Sequence, residues 1–410
     1  MTRKTHIRPA DIRGVSRLAI DATLGLARLV ESMHHNIART PGPLGKFSEE
    51  RTRGITGLVY RSIQGTTRLV GSGIDALLGQ LIGLLDPQQA ASSATREAVL
   101  AALNGVLGDH LAASANPLAI PMQLRRNGRP LLLTSQALAA EIPQPTGRIL
   151  LLVHGLCMND LQWTRKGHDH GAALANTGGF TPIYLHYNSG QHVSVNGHAL
   201  AAILESLVQA WPVAVESLTI VGHSMGGLVA RSACHSGQHG GQAWLRHLRQ
   251  MVFLGTPHHG APLERGGNWV NVILEASPYT AALARLAKIR SAGITDLRHG
   301  SILDEDWRHG DRFAHSGNRQ HVALPAGVAC FAAGAVIAAD PKGKGLLGDG
   351  LVPMRSALGQ HADPGRALDL PEARQWVGYG MHHLDLLDSP EVFARLRQWL
   401  CRSPNRRVAT

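Results

Sequence analysis

Apolar residues in the first hundred positions recur every three or four residues, which is the spacing of helices that bury one face. Three such stretches are present, at 15–37, 70–85 and 95–107. Asp86-Pro87 ends the second stretch. We expect Gly108 to end the third helix, because glycine favours the left-handed conformation at a helix C-terminus. The pattern therefore predicts a helical N-terminal extension over residues 1–112.

The period of the pattern changes near Asn116, where short aliphatic runs replace the helical spacing. Asn127-Gly128 separates two such runs, 118–126 and 129–134, and predicts a β-hairpin with a two-residue turn. Further strands are predicted by the runs at 148–153, 181–187, 218–223, 250–254, 328–337 and 375–379. Helices are predicted between them, including one at 197–210, and a closing helix at 390–400.

A hairpin followed by strands that alternate with helices predicts an α/β fold, with a mostly parallel sheet and helices on both faces. We assign residues 113–410 to this domain. Residues 261–325 form a long insertion between two predicted strands, and insertions of this length are commonly lids or binding loops. Two interpretations stay open: a lid that opens over an apolar substrate, and a structural cap that stays closed.

The stretch around Ser224 combines a strand, a sharp turn and a helix. Its pattern is Gly222-His223-Ser224-Met225-Gly226, preceded by the run that starts at Leu218 and followed by a small, apolar, helix-compatible segment. The turn is strained, so the residues two before and two after the serine must be small. The pentapeptide alone recurs by chance, but this context predicts that Ser224 is a nucleophile held clear of the sheet.

A serine nucleophile needs a histidine to take its proton and an acid to orient that histidine. Asp349 lies between two glycines after a predicted strand, and His383 lies between the last strand and the last helix. The order serine, acid, histidine is that of α/β-hydrolases. Loops that follow parallel strands meet at one edge of the sheet. The alternatives are His382 for the base, and Asp340 or Asp363 for the acid.

The negative charge that develops on the substrate oxygen needs two backbone donors. The N–H of Met225 is one candidate, since it follows the nucleophile at the start of a helix. The other should lie in the turn after the first central strand, where Gly155 lets the backbone come close. We assign it to the N–H of Leu156.

The net charge of +11 is spread along the chain, with few dense basic runs. We therefore predict no nucleic-acid partner. Contact of residues 1–110 with an anionic membrane stays open, because those predicted helices carry arginines opposite their apolar faces. The N-terminus is basic, but no apolar run of a signal peptide or of transmembrane length follows it. A cytoplasmic location is expected.

Metal and redox chemistry are not expected. The four cysteines stand far apart and form no CxxC pair. His168-Asp169-His170 and His258-His259 are candidate ligands, but their spacing fits no specific ligand set. We therefore predict neither a metal nor a cofactor.

Five segments together resemble a bacterial lipase or esterase of the α/β-hydrolase superfamily, in the group of triacylglycerol lipases and GPI inositol-deacylase-like hydrolases. The segments are 153–156, 222–227, 254–260, 348–353 and 383–387. The resemblance spans about 150–400 and leaves residues 1–110 uncovered. It implies the α/β-hydrolase fold and cofactor-free hydrolysis of lipid-like carboxylic esters. It also implies a triad of Ser224, Asp349 and His383, with Leu156 and Met225 as oxyanion donors.

We therefore predict a serine hydrolase that cleaves esters of hydrophobic acyl groups through an acyl-enzyme. A thioesterase, an intracellular polyester depolymerase or an acyltransferase would use the same triad. A membrane-associated scaffold on an inactive hydrolase fold is the alternative outside enzymes, although every catalytic position is filled.

Overall fold

The computed structural model describes residues 10–18, 94–261, 291–308, 319–339 and 348–401. The chain divides into two compact units, one of residues 1–96 and 111–119 and the other of residues 97–110 and 120–410. In the first unit, residues 10–18 are helical. The Nε of Arg96 donates to Asp11 there at 2.7 Å, and Asn116 Nδ2 donates to the Gly14 carbonyl at 3.0 Å.

The predicted apolar stripe at 70–85 and most of the stripe at 15–37 lie outside the described residues. Contact of residues 1–110 with an anionic membrane therefore stays a prediction, as do the cytoplasmic location and the domain boundary at 112. Within the described ranges, no helix is long and apolar enough to cross a membrane.

The second unit is built on an eight-stranded sheet with the order β2-β1-β4-β3-β5-β6-β7-β8. The hairpin strand β1 pairs antiparallel with β2 and β4, and all other neighbours are parallel. The strands are β1 (Gln123–Arg126), β2 (Arg129–Pro130), β3 (Arg148–Val153), β4 (Thr181–His186), β5 (Ser217–His223), β6 (Leu248–Leu254), β7 (Ala329–Val336) and β8 (Gln375–Tyr379). The predicted mostly parallel α/β sheet is thus confirmed.

The strands follow from their sequences. Residues 149–153 of β3 are aliphatic and fully buried, as expected for a central strand covered on both sides. Asn127 and Gly128 have φ of 50° and 72°, the conformation that a two-residue hairpin turn requires. The hairpin strands are shorter than the predicted runs 118–126 and 129–134.

Besides the helical residues 10–18, the described residues form the α-helices α1 (Ala94–Ala113), α2 (Ser135–Glu141), α3 (His170–Gly178), α4 (Val193–Ala210), α5 (Met225–His239), α6 (Ala292–His299), α7 (Glu305–Arg308), α8 (Met354–Ala357) and α9 (Pro390–Leu400). Leu174 of α3 and Leu396 of α9 pack with Leu150 and Leu152 of the sheet in one apolar cluster. Helices α4 and α5 pack on each other, and α5 contacts β3, β5 and β6. Ser389 caps α9 by accepting a hydrogen bond from the Glu391 N–H.

The expected end of the third helix at Gly108 is wrong, because α1 continues to Ala113. Gly108 serves a close contact instead. A Cβ atom at this position would lie 1.8 Å from Oδ1 of Asn188, whose Nδ2 donates to the Gly108 carbonyl at 2.8 Å. Position 108 therefore has to be glycine for a reason of packing within the second unit.

Residues 291–308 are part of the predicted insertion, and several hydrogen bonds attach them to the second unit. Ser291 Oγ donates to the Gly105 carbonyl at 2.7 Å, and Trp307 Nε1 donates to Ser194 Oγ at 2.9 Å. Asp296 accepts from the Val193 N–H at 2.8 Å, at the start of α4. These bonds favour a structural cap for residues 291–308. The segment 262–290, which includes the predicted apolar stretch, lies outside the described residues.

Candidate active site

Ser224 lies alone between β5 and α5, at the apex of a sharp turn. Its φ of 53° and ψ of −123° are unfavourable for a residue with a side chain. The Ser224 N–H donates to the Leu254 carbonyl of β6 at 2.8 Å, which helps to hold the turn. Ser224 is only 4% exposed.

The two glycines around Ser224 are required by close backbone contacts. A Cβ atom at Gly226 would lie 2.2 Å from the Val153 carbonyl oxygen, and one at Gly222 would lie 2.6 Å from the Gly227 nitrogen. Both neighbours are backbone atoms, so neither can move aside cheaply. The small residues expected from the pattern are thus needed to pack α5 against the end of β3.

Asp349 and His383 form a buried hydrogen bond. His383 Nδ1 lies 2.6 Å from Asp349 Oδ2. The other carboxylate oxygen, Oδ1, accepts hydrogen bonds from the Leu351 and Val352 N–H groups at 2.9 and 2.8 Å. Gly348, with a φ of 115°, permits the turn that carries Asp349. Both oxygens of this carboxylate therefore face a hydrogen-bond donor, which fixes the orientation of the Asp349 side chain.

His383 begins a 3₁₀ turn, His383–Leu387, whose leucines at 384, 386 and 387 are buried. The His383 N–H donates to the Asp349 carbonyl at 3.2 Å, which joins the two loops a second time. Its Nε2 is buried and has no hydrogen-bond partner in the described part of the chain. Since Nδ1 faces a carboxylate, the proton belongs on Nδ1 and Nε2 is free to accept one.

The serine turn and His383 lie at the same edge of the sheet. The ring of His223, which precedes Ser224, is 4.7 Å from the ring of His383. A Cβ atom at Gly255, just after β6, would lie 3.0 Å from Cε1 of His383. The loops after β5, β6, β7 and β8 thus converge, as expected for parallel strands.

The alternative candidates are placed differently. His382 is exposed, and its N–H donates to Asp385 Oδ2 at 2.9 Å. Asp363 is exposed and accepts from the Gly365 N–H at 2.9 Å in a separate turn. Asp340 lies outside the described residues. Of these side chains, only Asp349 and His383 are brought together.

The candidate oxyanion donors flank the serine. Leu156 lies in the turn after β3, and among the described residues its N–H has no acceptor. Met225 is the first residue of α5, where N–H groups have no partner within the helix and the helix dipole attracts negative charge. A Cβ atom at Gly155 would lie 3.1 Å from the Ser224 Cβ, so glycine permits this close approach.

Two residues that the sequence did not single out hold this arrangement. Tyr187 stacks on His154, with ring centroids 4.3 Å apart, and donates its O–H to the His154 carbonyl at 2.8 Å. His223 is buried, and its Nε2 lies 3.4 Å from the His383 carbonyl. Burial, and then the neighbouring His383, lower the pKa of His223 well below its ordinary value. In the sequence, only the position of Tyr187 directly after β4 and the position of His223 directly before Ser224 pointed to a role at the site.

Three of the four histidines considered as metal ligands contact another histidine or the backbone. His168 Nε2 lies 2.8 Å from His170 Nδ1, and His170 Nε2 lies 3.0 Å from the Leu386 carbonyl. His259 Nε2 lies 3.1 Å from the Gly359 carbonyl. Across the ranges that the structure describes, no three His, Cys, Asp or Glu side chains are grouped to hold a metal ion.

Comparison with known proteins supports the fold. Residues 144–333 match the family described as PGAP1-like alpha/beta domain. Comparison with curated proteins gave no match.

Similar solved structures include a Bacillus licheniformis lipase in mature form, with 19% identity, TM-score 0.40 and coverage of 64% of this chain and 95% of that chain. A Pyrococcus furiosus esterase has 12% identity, TM-score 0.38 and coverage of 62% and 80%. A Bacillus subtilis naproxen esterase has 12% identity, TM-score 0.35 and coverage of 63% and 84%.

The fold assignment rests on the family match, on the strand order and on the strand–serine–helix turn. The chain therefore has the α/β-hydrolase fold, and its residues 144–333 are similar to the PGAP1-like alpha/beta domain.

Proposed function

We propose that this protein is a serine hydrolase that cleaves carboxylic esters of hydrophobic acyl groups through an acyl-enzyme. The observation that supports it most is the buried 2.6 Å contact between Asp349 and His383, whose Nε2 has no partner among the described residues. This pair lies at the sheet edge where the strained turn presents Ser224. His383 Nε2 makes no hydrogen bond to Ser224 Oγ in this structure, and it is therefore free to accept the serine proton when the two groups close on a bound substrate.

In the proposed reaction, Ser224 Oγ attacks the ester carbonyl while His383 Nε2 takes its proton. Asp349 keeps the second His383 proton on Nδ1 and stabilises the imidazolium that forms. The N–H groups of Leu156 and Met225 donate to the oxyanion. His383 then protonates the leaving alcohol, and a water molecule, deprotonated in turn by His383, hydrolyses the acyl-enzyme.

A hydrophobic acyl group is proposed from the resemblance to lipases. Each backbone donor is worth about 2.7–4 kcal/mol of transition-state stabilisation in related chemistry.

The test uses the full chain and a series of p-nitrophenyl esters from acetate to palmitate. We expect turnover that increases from the shortest chain toward longer ones, and a loss of at least about 10⁴-fold in Ser224→Ala. The matched control is Ser206→Ala, because the exposed Ser206 hydroxyl contacts only the Ala202 carbonyl one helical turn away. Full activity in Ser224→Ala, or no turnover of any ester by the wild type, would overturn the proposal.

A further inference from the structure

A second concave site lies away from the proposed catalytic residues. It is a cavity that is partly open to solvent, between α5, the loop after β6 and the segments around residues 300–306, 319–322 and 366–368. None of Ser224, Asp349 and His383 lines it. Its lining is rich in cationic and imidazole side chains, namely Arg231, Arg319, Arg366, His258, His259 and His321, against one carboxylate, Asp306.

Arg231 is the most buried of these charges, with 5% of the residue exposed. Its Nη2 donates to the Val322 carbonyl at 2.6 Å, and its Nη1 lies 3.4 Å from His258 Nδ1. Its Nε has no partner within the described ranges, where no carboxylate forms a salt bridge with it. Burial and the nearby Arg319 lower the pKa of Arg231 to about 10, so it remains charged at neutral pH. Asp306 attracts this charge but forms no salt bridge with it among the described residues, so an anion in the cavity would offset more of the cost of burying Arg231.

His258 adds a second donor without a partner. Its Nδ1 faces an arginine N–H, which can only donate, so Nδ1 must accept and the proton must be on Nε2. That Nε2 is buried and has no partner in the part of the chain that the structure describes. Burial, and then Arg231, hold the pKa of His258 well below its ordinary value, so the ring is a neutral donor.

The carboxylate in the lining is already engaged. Asp306 Oδ2 accepts hydrogen bonds from the Ile302 and Leu303 N–H groups at 2.9 and 3.0 Å. Arg366 has an acidic neighbour of its own, Asp363, at 3.6 Å. Arg319 contacts the His299 carbonyl, which is neutral. The positive charge of Arg231 and Arg319 is therefore not balanced by the single acid of the cavity.

We propose that this cavity binds a phosphate group, either as inorganic phosphate or as the phosphomonoester end of a larger molecule. A tetrahedral dianion offers several acceptor oxygens to donors that come from different directions, and guanidinium groups suit it best. The Arg231 and Arg319 guanidinium groups and the His258 imidazole supply such donors from three separate segments. This site is independent of ester cleavage at Ser224.

The test is isothermal titration calorimetry of the full chain with inorganic phosphate, against chloride at the same ionic strength. We expect saturable binding of phosphate and none of chloride. Arg319→Gln should weaken it by about tenfold or more, and Arg319→Lys by less, because lysine keeps the charge but loses the planar pair of donors. Ser224→Ala should bind phosphate like the wild type, which separates failure of this proposal from failure of the ester hydrolase proposal.

Gln320→Glu is a second variant, because Gln320 is exposed, lines the cavity and can gain a negative charge with little risk to folding. It should also weaken phosphate binding, whereas Arg249→Gln, on the exposed start of β6, should not. Absence of saturable phosphate binding would overturn the proposal, as would equal binding by wild type, Arg319→Gln and Gln320→Glu.

The two sources of the phosphate group are separated by adding glycerol 3-phosphate and a short-chain phosphatidic acid below its critical micelle concentration. Tighter binding of the phosphatidic acid supports a lipid headgroup as ligand, and equal binding of all three supports soluble phosphate. A matched phosphatidylcholine should not bind, since its phosphodiester carries a single negative charge. Binding of the phosphatidylcholine as tightly as the phosphatidic acid would refute recognition of a dianion.

Discussion

Asp349→Asn should abolish the proposed ester hydrolysis by placing the proton of neutral His383 on the wrong ring nitrogen. In the native pair, Asp349 Oδ1 accepts from the Leu351 and Val352 N–H groups, and Oδ2 faces His383 Nδ1. An asparagine side chain has a single oxygen, and the Leu351 and Val352 N–H groups require it at the Oδ1 position. Its NH₂ group must then face His383 Nδ1, which has to become an acceptor. The proton moves to Nε2, so His383 can no longer take the proton of Ser224.

The loss follows from the tautomer rather than from folding. A histidine base held in the wrong tautomer lowers kcat by about 10⁴-fold in a serine protease, which corresponds to roughly 5.5 kcal/mol of barrier at 25 °C. We expect a similar fall in kcat for the most active p-nitrophenyl ester, with KM changed by less than about threefold, because the substrate contacts stay in place. Asparagine has the same shape as aspartate, so the thermal midpoint should change little.

Asp363→Asn is the matched control, because Asp363 is exposed, caps a short turn and lies 3.6 Å from Arg366, without a contact to Asp349 or His383 among the described residues. It should keep wild-type activity. Asp349→Asn with a kcat within about tenfold of the wild type would refute the role of this carboxylate, and so would a larger loss in Asp363→Asn.

Three further predictions follow from particular contacts. In a p-nitrophenyl ester assay, His383→Ala should lower kcat by at least about 10³-fold, and His382→Ala should lower it by less than about threefold. The reverse order would identify His382 as the general base. Gly226→Ala should lower the free energy of unfolding, measured in urea, by about 3 kcal/mol or more, because its Cβ would lie 2.2 Å from the Val153 carbonyl oxygen. The control Gly240→Ala should change it by less than about 1 kcal/mol. Similar values for the two variants would contradict the close packing at Gly226. Burial lowers the pKa of His154 from 6.5 to about 3. Below pH 6.5 the unfolded chain therefore binds a proton at His154 that the folded chain does not bind. The free energy of unfolding should fall there by up to about 1.4 kcal/mol per pH unit, whereas above pH 6.5 this contribution is fully present. Urea unfolding at about pH 7 and about pH 5 should show a smaller decrease for His154→Phe than for the wild type, and an equal decrease would exclude His154 as a cause.

Local patterns predicted much of the second unit. The aliphatic run of β3 and the Asn127-Gly128 turn are properties of short segments, so the strand and the hairpin could be placed before the structure was known. The closing helix at Pro390–Leu400 was placed to the residue, because Ser389 and Pro390 mark its start. Each of these elements depends mainly on its own neighbours in sequence.

Contacts between distant segments could not be predicted in this way. Gly108 looked like a helix end, since only the structure shows Asn188 against its Cα hydrogens. His223 and Tyr187 support the site through burial and ring contacts with residues far along the chain. The cavity around Arg231 is lined by α5 and by segments more than sixty positions later in the chain. A local sequence pattern cannot show that a buried charge lacks a partner.

The central claim is that His383 activates Ser224 as a nucleophile, and covalent labelling tests it most directly. A fluorophosphonate probe is incubated with the full chain, and the labelled peptide is identified by mass spectrometry. We predict a single adduct per chain on Ser224, with labelling strongly slowed in His383→Ala and unaffected in His382→Ala. An unlabelled Ser224 in a protein that hydrolyses esters, or labelling at the same rate in His383→Ala, would contradict it.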